Sequence, residues 1–178
     1  NVINGKRNGI STVWSLGGNK ISEEMYRDGL QDGKSIEWWE SGRKKVESFY
    51  DMGVAKHSFY WGENGVLLSE ITRNDNQIVN IKHLENGGIE EYIHDVKKDL
   101  IKFSAWNNMK TKIKEYSLQN GKMHGKYIVW NEKGIKVYEC IYKNGLGFGK
   151  FKQWDNDGQF QGEYSFSDSP EHHKFETK

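Results

Sequence analysis

From Lys126 to Trp130 the chain reads Lys-Tyr-Ile-Val-Trp, and from Lys136 to Tyr142 it reads Lys-Val-Tyr-Glu-Cys-Ile-Tyr. β-Branched and aromatic residues dominate both runs and turn residues bound them, which predicts a pair of short strands. The same pair recurs along the chain. With Trp130 as a ruler, the matching positions are Trp14, Trp38, Trp61, Leu84, Trp106 and Trp154, in steps of 22 to 24 residues. Four residues after the ruler come Gly18, Gly42, Gly65, Gly88, Lys110, Gly134 and Gly158. Nine after it come Glu23, Glu47, Glu70, Ile93, Glu115, Glu139 and Glu163. Twelve after it come Tyr26, Tyr50, Arg73, Val96, Leu118, Tyr142 and Phe166. A fixed period of this length marks a repeat architecture.

Asn-Gly and Asp-Gly pairs recur at the joints, from Asn4-Gly5 to Asp157-Gly158. Such pairs accept the positive φ that tight hairpin turns require. Each repeat thus predicts two antiparallel strands and two turns. About seven repeats predict an all-β fold: an elongated, twisted antiparallel meander of some fourteen strands, with almost no helix. One array is expected over residues 1–167, followed by a polar tail over 168–178 that contains Pro170 and His172-His173. Within it, residues 52–119 keep the period but lose the second turn glycine, replaced by Lys56, Val79 and Ile101. The six ruler tryptophans are expected to be substantially buried on one face. If the Tyr column shares that face, the two interleave into one aromatic layer.

Composition changes this picture little. Hydrophobic residues make up 35% and aromatics 13%, a mix suited to a thin sheet rather than a thick core. Lys+Arg and Asp+Glu number 26 and 25, so no overall bias points to nucleic acid. The single cysteine, Cys140, rules out an intramolecular disulfide and a Cys-based zinc site, and reads as a small apolar strand residue. No apolar run approaches the ~18 residues of a membrane-spanning helix. No signal peptide is visible, which favours the cytoplasm. The chain begins at Asn1, however, and removal of a leader before it would make the protein secreted or envelope-associated.

Candidate chemistry is sparse. The Glu column repeats roughly every 10 Å, two strand spacings, too wide for two carboxylates to act on one bond or to share a calcium ion. It reads as one structural Glu per repeat, pairing with a Lys or Arg of the next strand or with turn N–H groups. His83 and His94 flank the Leu84 repeat, but their spacing matches no metal motif. No nucleophile–base pair or phosphate loop is present, so no enzyme, cofactor or metal is expected. Lys110, Lys112 and Lys114 alternate and so share a strand face, forming with Lys97, Lys98 and Lys102 a basic stretch. Trp39 is expected to point away from Trp38, and Tyr60 away from Phe59 and Trp61. Exposed aromatics on a rigid sheet suit protein interfaces. Trp39, Tyr60, Lys110, Lys112 and Lys114 are therefore the candidate partner contacts.

The pattern Asn/Asp-Gly, Gly, Trp, Gly, Glu, Tyr resembles the bacterial variant of the MORN repeat. It is carried by Asp28-Gly29, Gly33, Trp38, Gly42, Glu47 and Tyr50, and again by Asn120-Gly121, Gly125, Trp130, Gly134, Glu139 and Tyr142. The resemblance covers about residues 4–167, strongly at both ends and weakly between 52 and 119. It implies a curved antiparallel array. Many bacterial members are labelled antitoxins of toxin–antitoxin systems, which implies neutralisation of a protein toxin by binding. Related eukaryotic arrays are tied to membrane lipids and scaffolding, which implies the alternative role of a peripheral membrane or cell-envelope scaffold.

Overall fold

The computed structural model describes residues 1–166, so the polar tail lies outside the described residues. The chain divides into two compact units, Asn1–His83 and Leu84 onward. The N-terminal unit holds β1 (Val2–Ile3), β2 (Lys6–Arg7), β3 (Gly9–Trp14), β4 (Lys20–Arg27), β5 (Leu30–Trp38), β6 (Lys44–Asp51), β7 (Val54–Trp61), β8 (Leu67–Arg73) and β9 (Gln77–His83). From β3 to β9 each strand pairs antiparallel with the next, and β1 pairs with β2. The C-terminal unit holds β10 (Ile89–Asp95), β11 (Leu100–Trp106), β12 (Lys112–Gln119), β13 (Lys122–Met123), β14 (Gly125–Trp130), β15 (Lys136–Lys143), β16 (Leu146–Trp154) and β17 (Phe160–Ser165). These also pair antiparallel in order, with β13 and β14 both on β12. The fold is an all-β antiparallel meander. Residues 52–119 keep the same strand alternation despite their lost glycines.

The turns fall into two classes that the Asn-Gly pairs alone do not separate. At Asn4-Gly5, Asp28-Gly29, Met52-Gly53, Asn120-Gly121 and Asn144-Gly145, both residues have positive φ, so these are two-residue hairpin turns. After each ruler residue comes a longer loop with one left-handed residue at its fourth position, such as Gly134 at φ 80°. An Asx side chain closes several of these loops: Asn131 Oδ1 accepts from the N–H groups of Lys133 and Ile135, at 3.1 and 3.0 Å. This second class corrects the ruler. The loop before β10 starts at Leu84, whose N–H donates to Gly88 O as Asn131 N–H donates to Ile135 O, and its left-handed residue is Gly87 rather than Gly88. His83, not Leu84, therefore stands in the Trp column. Likewise Glu91, not Ile93, lies across from Ser104, which in turn faces Glu115.

Within each unit the sheet has two faces. The ruler tryptophans, with the Glu column, occupy one, here called the Trp face. In the N-terminal unit its central row runs Thr12, Glu23, Ile36, Glu47, Phe59, Glu70, Ile81 across successive strands. The Tyr column takes the opposite face, so the two columns do not interleave. Tyr26 donates to Glu24, the neighbour of Glu23 on the other side of the strand, at 2.7 Å. On this Tyr face the N-terminal unit buries Ser35, Ser48 and Ser58 in one row, with Ser48 Oγ and Ser58 Oγ 2.8 Å apart. The C-terminal unit instead fills the row with rings: Tyr92, Phe103 and Tyr116 lie 4.9 and 4.5 Å apart in sequence. Its core is Cys140, Tyr142, Phe151 and Phe166. Burial pushes the Cys140 thiol up to about 11, well away from a reactive thiolate.

The tryptophans are not the buried core that their column predicts. Trp38, Trp61, Trp106, Trp130 and Trp154 are half-buried, and Trp14 is 58% exposed. A single-layer sheet has no second layer to cover the Trp face.

Candidate binding surface

The Trp face is built from a recurring triad. Six residues after Trp14, Trp38, Trp106 and Trp130 stand Lys20, Lys44, Lys112 and Lys136. Each lysine binds the Glu three residues further along the same strand: Lys20 with Glu23 at 2.5 Å, Lys112 with Glu115 at 3.0 Å, Lys136 with Glu139 at 2.6 Å, and Lys44 with Glu47. Its ammonium also lies over indole rings, as Lys20 does over Trp14 and Trp38 at 5.5 and 5.4 Å. A β-bulge beside each Trp brings the lysine onto this face, for example between Val129 and Trp130. The Glu column is thus satisfied mainly from its own strand, not from the next one. The Lys44 ammonium holds the Glu47 carboxyl below its usual range, and Lys136 does the same for Glu139. Where the triad lapses, His83 stands in, with Nε2 2.9 Å from Glu70 Oε1. His94 pairs separately with Asp99 at 3.2 Å. No cluster of three or more His, Cys, Asp or Glu gathers as metal ligands among the described residues.

The five expected contact residues are dispersed. Trp39 and Tyr60 belong to the N-terminal unit, and the lysines to the C-terminal one. Trp39 opens the loop after β5, where its Nε1 donates to Trp61 O at 3.2 Å and Lys45 lies 5.0 Å from its ring. Tyr60 lies on the Tyr face between Val46 and Ser69 and is half-buried. The three lysines do not share a face. Lys110 sits in the loop at φ 61°, exposed; Lys112 is committed to Glu115, Trp106 and Trp130; and Lys114, next to Glu115, points the other way. The register shift between Ala105 and Trp106 breaks the simple alternation.

A surface missed by sequence reading flanks the triads in the N-terminal unit. Phe49 faces His57 across the β6–β7 pair. The rings of His57, Phe59 and Trp61 follow one another at 4.4 and 5.8 Å along β7. Lys34 reaches over Phe49 at 6.0 Å and toward Glu47 at 3.4 Å. Met25 and Phe49 are 43% and 40% exposed, and Ile10, Ile21 and Leu68 are exposed on the same face. The signal was present: Phe49 stands two residues from Glu47 and His57 four before Trp61, both at the parity of the consensus face. These positions were overlooked because they differ between repeats.

The chain matches no model of a known protein family and no curated protein of known function.

Proposed function

We propose that this chain is a non-enzymatic binding module whose N-terminal unit presents its Trp face to a protein partner. One observation carries the reading. Ile10, Met25 and Phe49 leave apolar side chains exposed at one end of the sheet face, beside rings held in fixed register, and Ile21 and Leu68 do so at its other end, across the Glu row. Lys34 stands among the first group, across from Phe49, and the Lys44–Glu47 pair borders it, so apolar and charged side chains meet there as they do at protein interfaces. The consensus Lys and Glu side chains are occupied by one another, so recognition falls to the side chains that vary between repeats. The resemblance to bacterial MORN variants supports a toxin as the partner, with neutralisation by direct binding.

The test is capture of bacterial proteins on the immobilised chain, with identification by mass spectrometry. The wild type and the Lys110→Glu variant retain the partner, whereas Phe49→Glu and Met25→Glu lose it at an unchanged melting temperature. Retention by both face variants, with loss in Lys110→Glu, would move the interface to the C-terminal unit. Parallel sedimentation with anionic vesicles at two salt concentrations separates this reading from the lipid scaffold, which predicts salt-sensitive vesicle binding and no protein partner.

A further inference from the structure

The Tyr face of the N-terminal unit carries a row of short polar side chains that is incompletely paired. Across successive strands the row runs Ser11, Glu24, Ser35, Ser48 and Ser58. Ser48 and Ser58 bond each other at 2.8 Å. Ser35 is only 9% exposed, and its hydroxyl has no hydrogen-bond partner among the described residues. Its neighbour across the β4–β5 pair is Glu24. Glu24 Oε2 accepts from Tyr26 Oη at 2.7 Å, and among the described residues no lysine or arginine pairs with this carboxylate. Two residues beyond Ser35 on the same side of β5 stands Glu37, which reaches Lys45 at 3.7 Å. Glu37 lies across from Ser22, so it is the diagonal neighbour of Glu24, with Cα atoms roughly 7–8 Å apart. Tyr50 borders the same spot. Burial raises its hydroxyl above the ordinary value, and the nearness of Tyr60, Glu24 and Glu37 adds to that. Gly33, across from Tyr50, has φ 100°, and a Cβ there would meet Met25 on the Trp face, so Gly33 places no side chain on this one.

Two carboxylates and a hydroxyl thus gather on one face, each carboxylate within about 7 Å of Ser35 along or across the sheet. All three can accept hydrogen bonds, and what they lack is a donor that carries positive charge. The arginines of the chain nearest to them are taken: Arg27 pairs with Asp32 at 2.6 Å, and Arg7 lies over the Tyr26 ring at 5.3 Å. We infer that the Tyr face of the N-terminal unit takes up an arginine side chain of a protein partner, with the guanidinium between Glu24 and Glu37 and one N–H on Ser35 Oγ. A planar fork of five donors reaches both carboxylates and the hydroxyl at once, which the compact ammonium of a lysine does not. Its flat face also suits a tyrosine ring, and Arg7 on Tyr26 is an example within the chain. The site lies on the face opposite to the surface proposed above, so it is tested without the partner captured there.

The probes are acetyl-arginine methylamide, which presents the side chain as it stands in a protein, its lysine and citrulline counterparts, and free arginine, each titrated into the isotope-labelled chain. The expected result with the blocked arginine is saturable shifts of the Glu24, Ser35 and Glu37 amides. The lysine counterpart binds about tenfold more weakly, and citrulline, which has the shape of arginine without its charge, does not bind. Glu24→Gln keeps an acceptor for Tyr26 and weakens binding of the blocked arginine about tenfold. Ser35→Ala breaks no side-chain bond within the chain, leaves the melting temperature unchanged and weakens binding several-fold, which gives a second reading if the Glu24 variant melts early. The absence of saturable shifts at the three amides, equal binding of citrulline or of the lysine counterpart, or full binding by both variants would each overturn the inference. Tighter binding of free arginine than of the blocked form would overturn it too, by making a small molecule the occupant.

Discussion

Lys44 and Glu47 show what each repeat asks of single residues. The lysine neutralises a carboxylate that has little contact with water (12% exposed) and covers an indole that no second layer covers. Because Glu47 and Glu139 titrate below their usual value in the folded chain, their contribution to stability is complete above the unfolded value of about 4.5. It is lost as pH falls through the depressed folded values. A Glu47→Gln/Glu139→Gln double variant is therefore expected to be less stable at pH 7, by about 1 kcal/mol per site or less, and to lose less stability than wild type between pH 5 and about 2. Thermal melts across that range check it, and parallel pH profiles would contradict it. The Glu column was legible in the sequence, and so was its pairing with a cation. The partner was not legible, because the lysine six residues after Trp14, Trp38, Trp106 and Trp130 has the wrong parity for that face, and a bulge, invisible to simple alternation, turns it there.

At the scale of the element, the hairpin loops decide where side chains point. Lys110 holds a left-handed conformation that a non-Gly residue adopts at a cost of about 1 kcal/mol or more. Asn107 Oδ1 supports it by accepting from the Met109 and Thr111 N–H groups, each at 3.0 Å. Lys110→Gly is expected to stabilise the chain by about 0.5–1 kcal/mol. The converse change, Gly134→Ala, strains φ 80° and brings a new Cβ to 3.0 Å from Thr111 Cγ2, so it destabilises by about 1–2 kcal/mol. Urea midpoints of the two variants should move in opposite directions. Strand existence was readable from aromatic and β-branched runs, even in 52–119, because lost turn glycines alter the joint and not the ladder. The misplacement of His83 arose because its repeat keeps neither Trp nor a single turn glycine: Gly87 and Gly88 both offered themselves, and only φ distinguishes them.

For the molecule as a whole, position in the array should set the worth of a consensus residue, since each repeat leans on its neighbours. Trp130, between strands on both sides and half-buried, is expected to cost about 3 kcal/mol when changed to Ala, and Trp14, on the outer strand, about 1 kcal/mol. Denaturant unfolding of both variants tests this, and equal losses would mean that the outer indole is as well supported as the inner one. The all-β meander was read correctly from the period. The candidate surface was not, since periodicity reveals what every repeat shares, whereas Phe49, His57 and Met25 stand where repeats diverge.

The shared lysine also governs how such a chain changes length over evolution. Lys20 and Lys112 each serve the Trp of their own hairpin and the Trp of the next, and Lys44 and Lys136 reach the next Trp as well, so the seam between repeats is alike wherever the strand pair carries the triad. Insertion or loss of a whole 22–24-residue repeat rejoins like to like. Removal of a single Lys–Glu strand would set one Trp strand beside another, reverse every later strand and leave an indole without its cation. Size variation among descendants of this sequence is thereby quantised in hairpin pairs, and an odd number of strands should survive only at an end of a sheet.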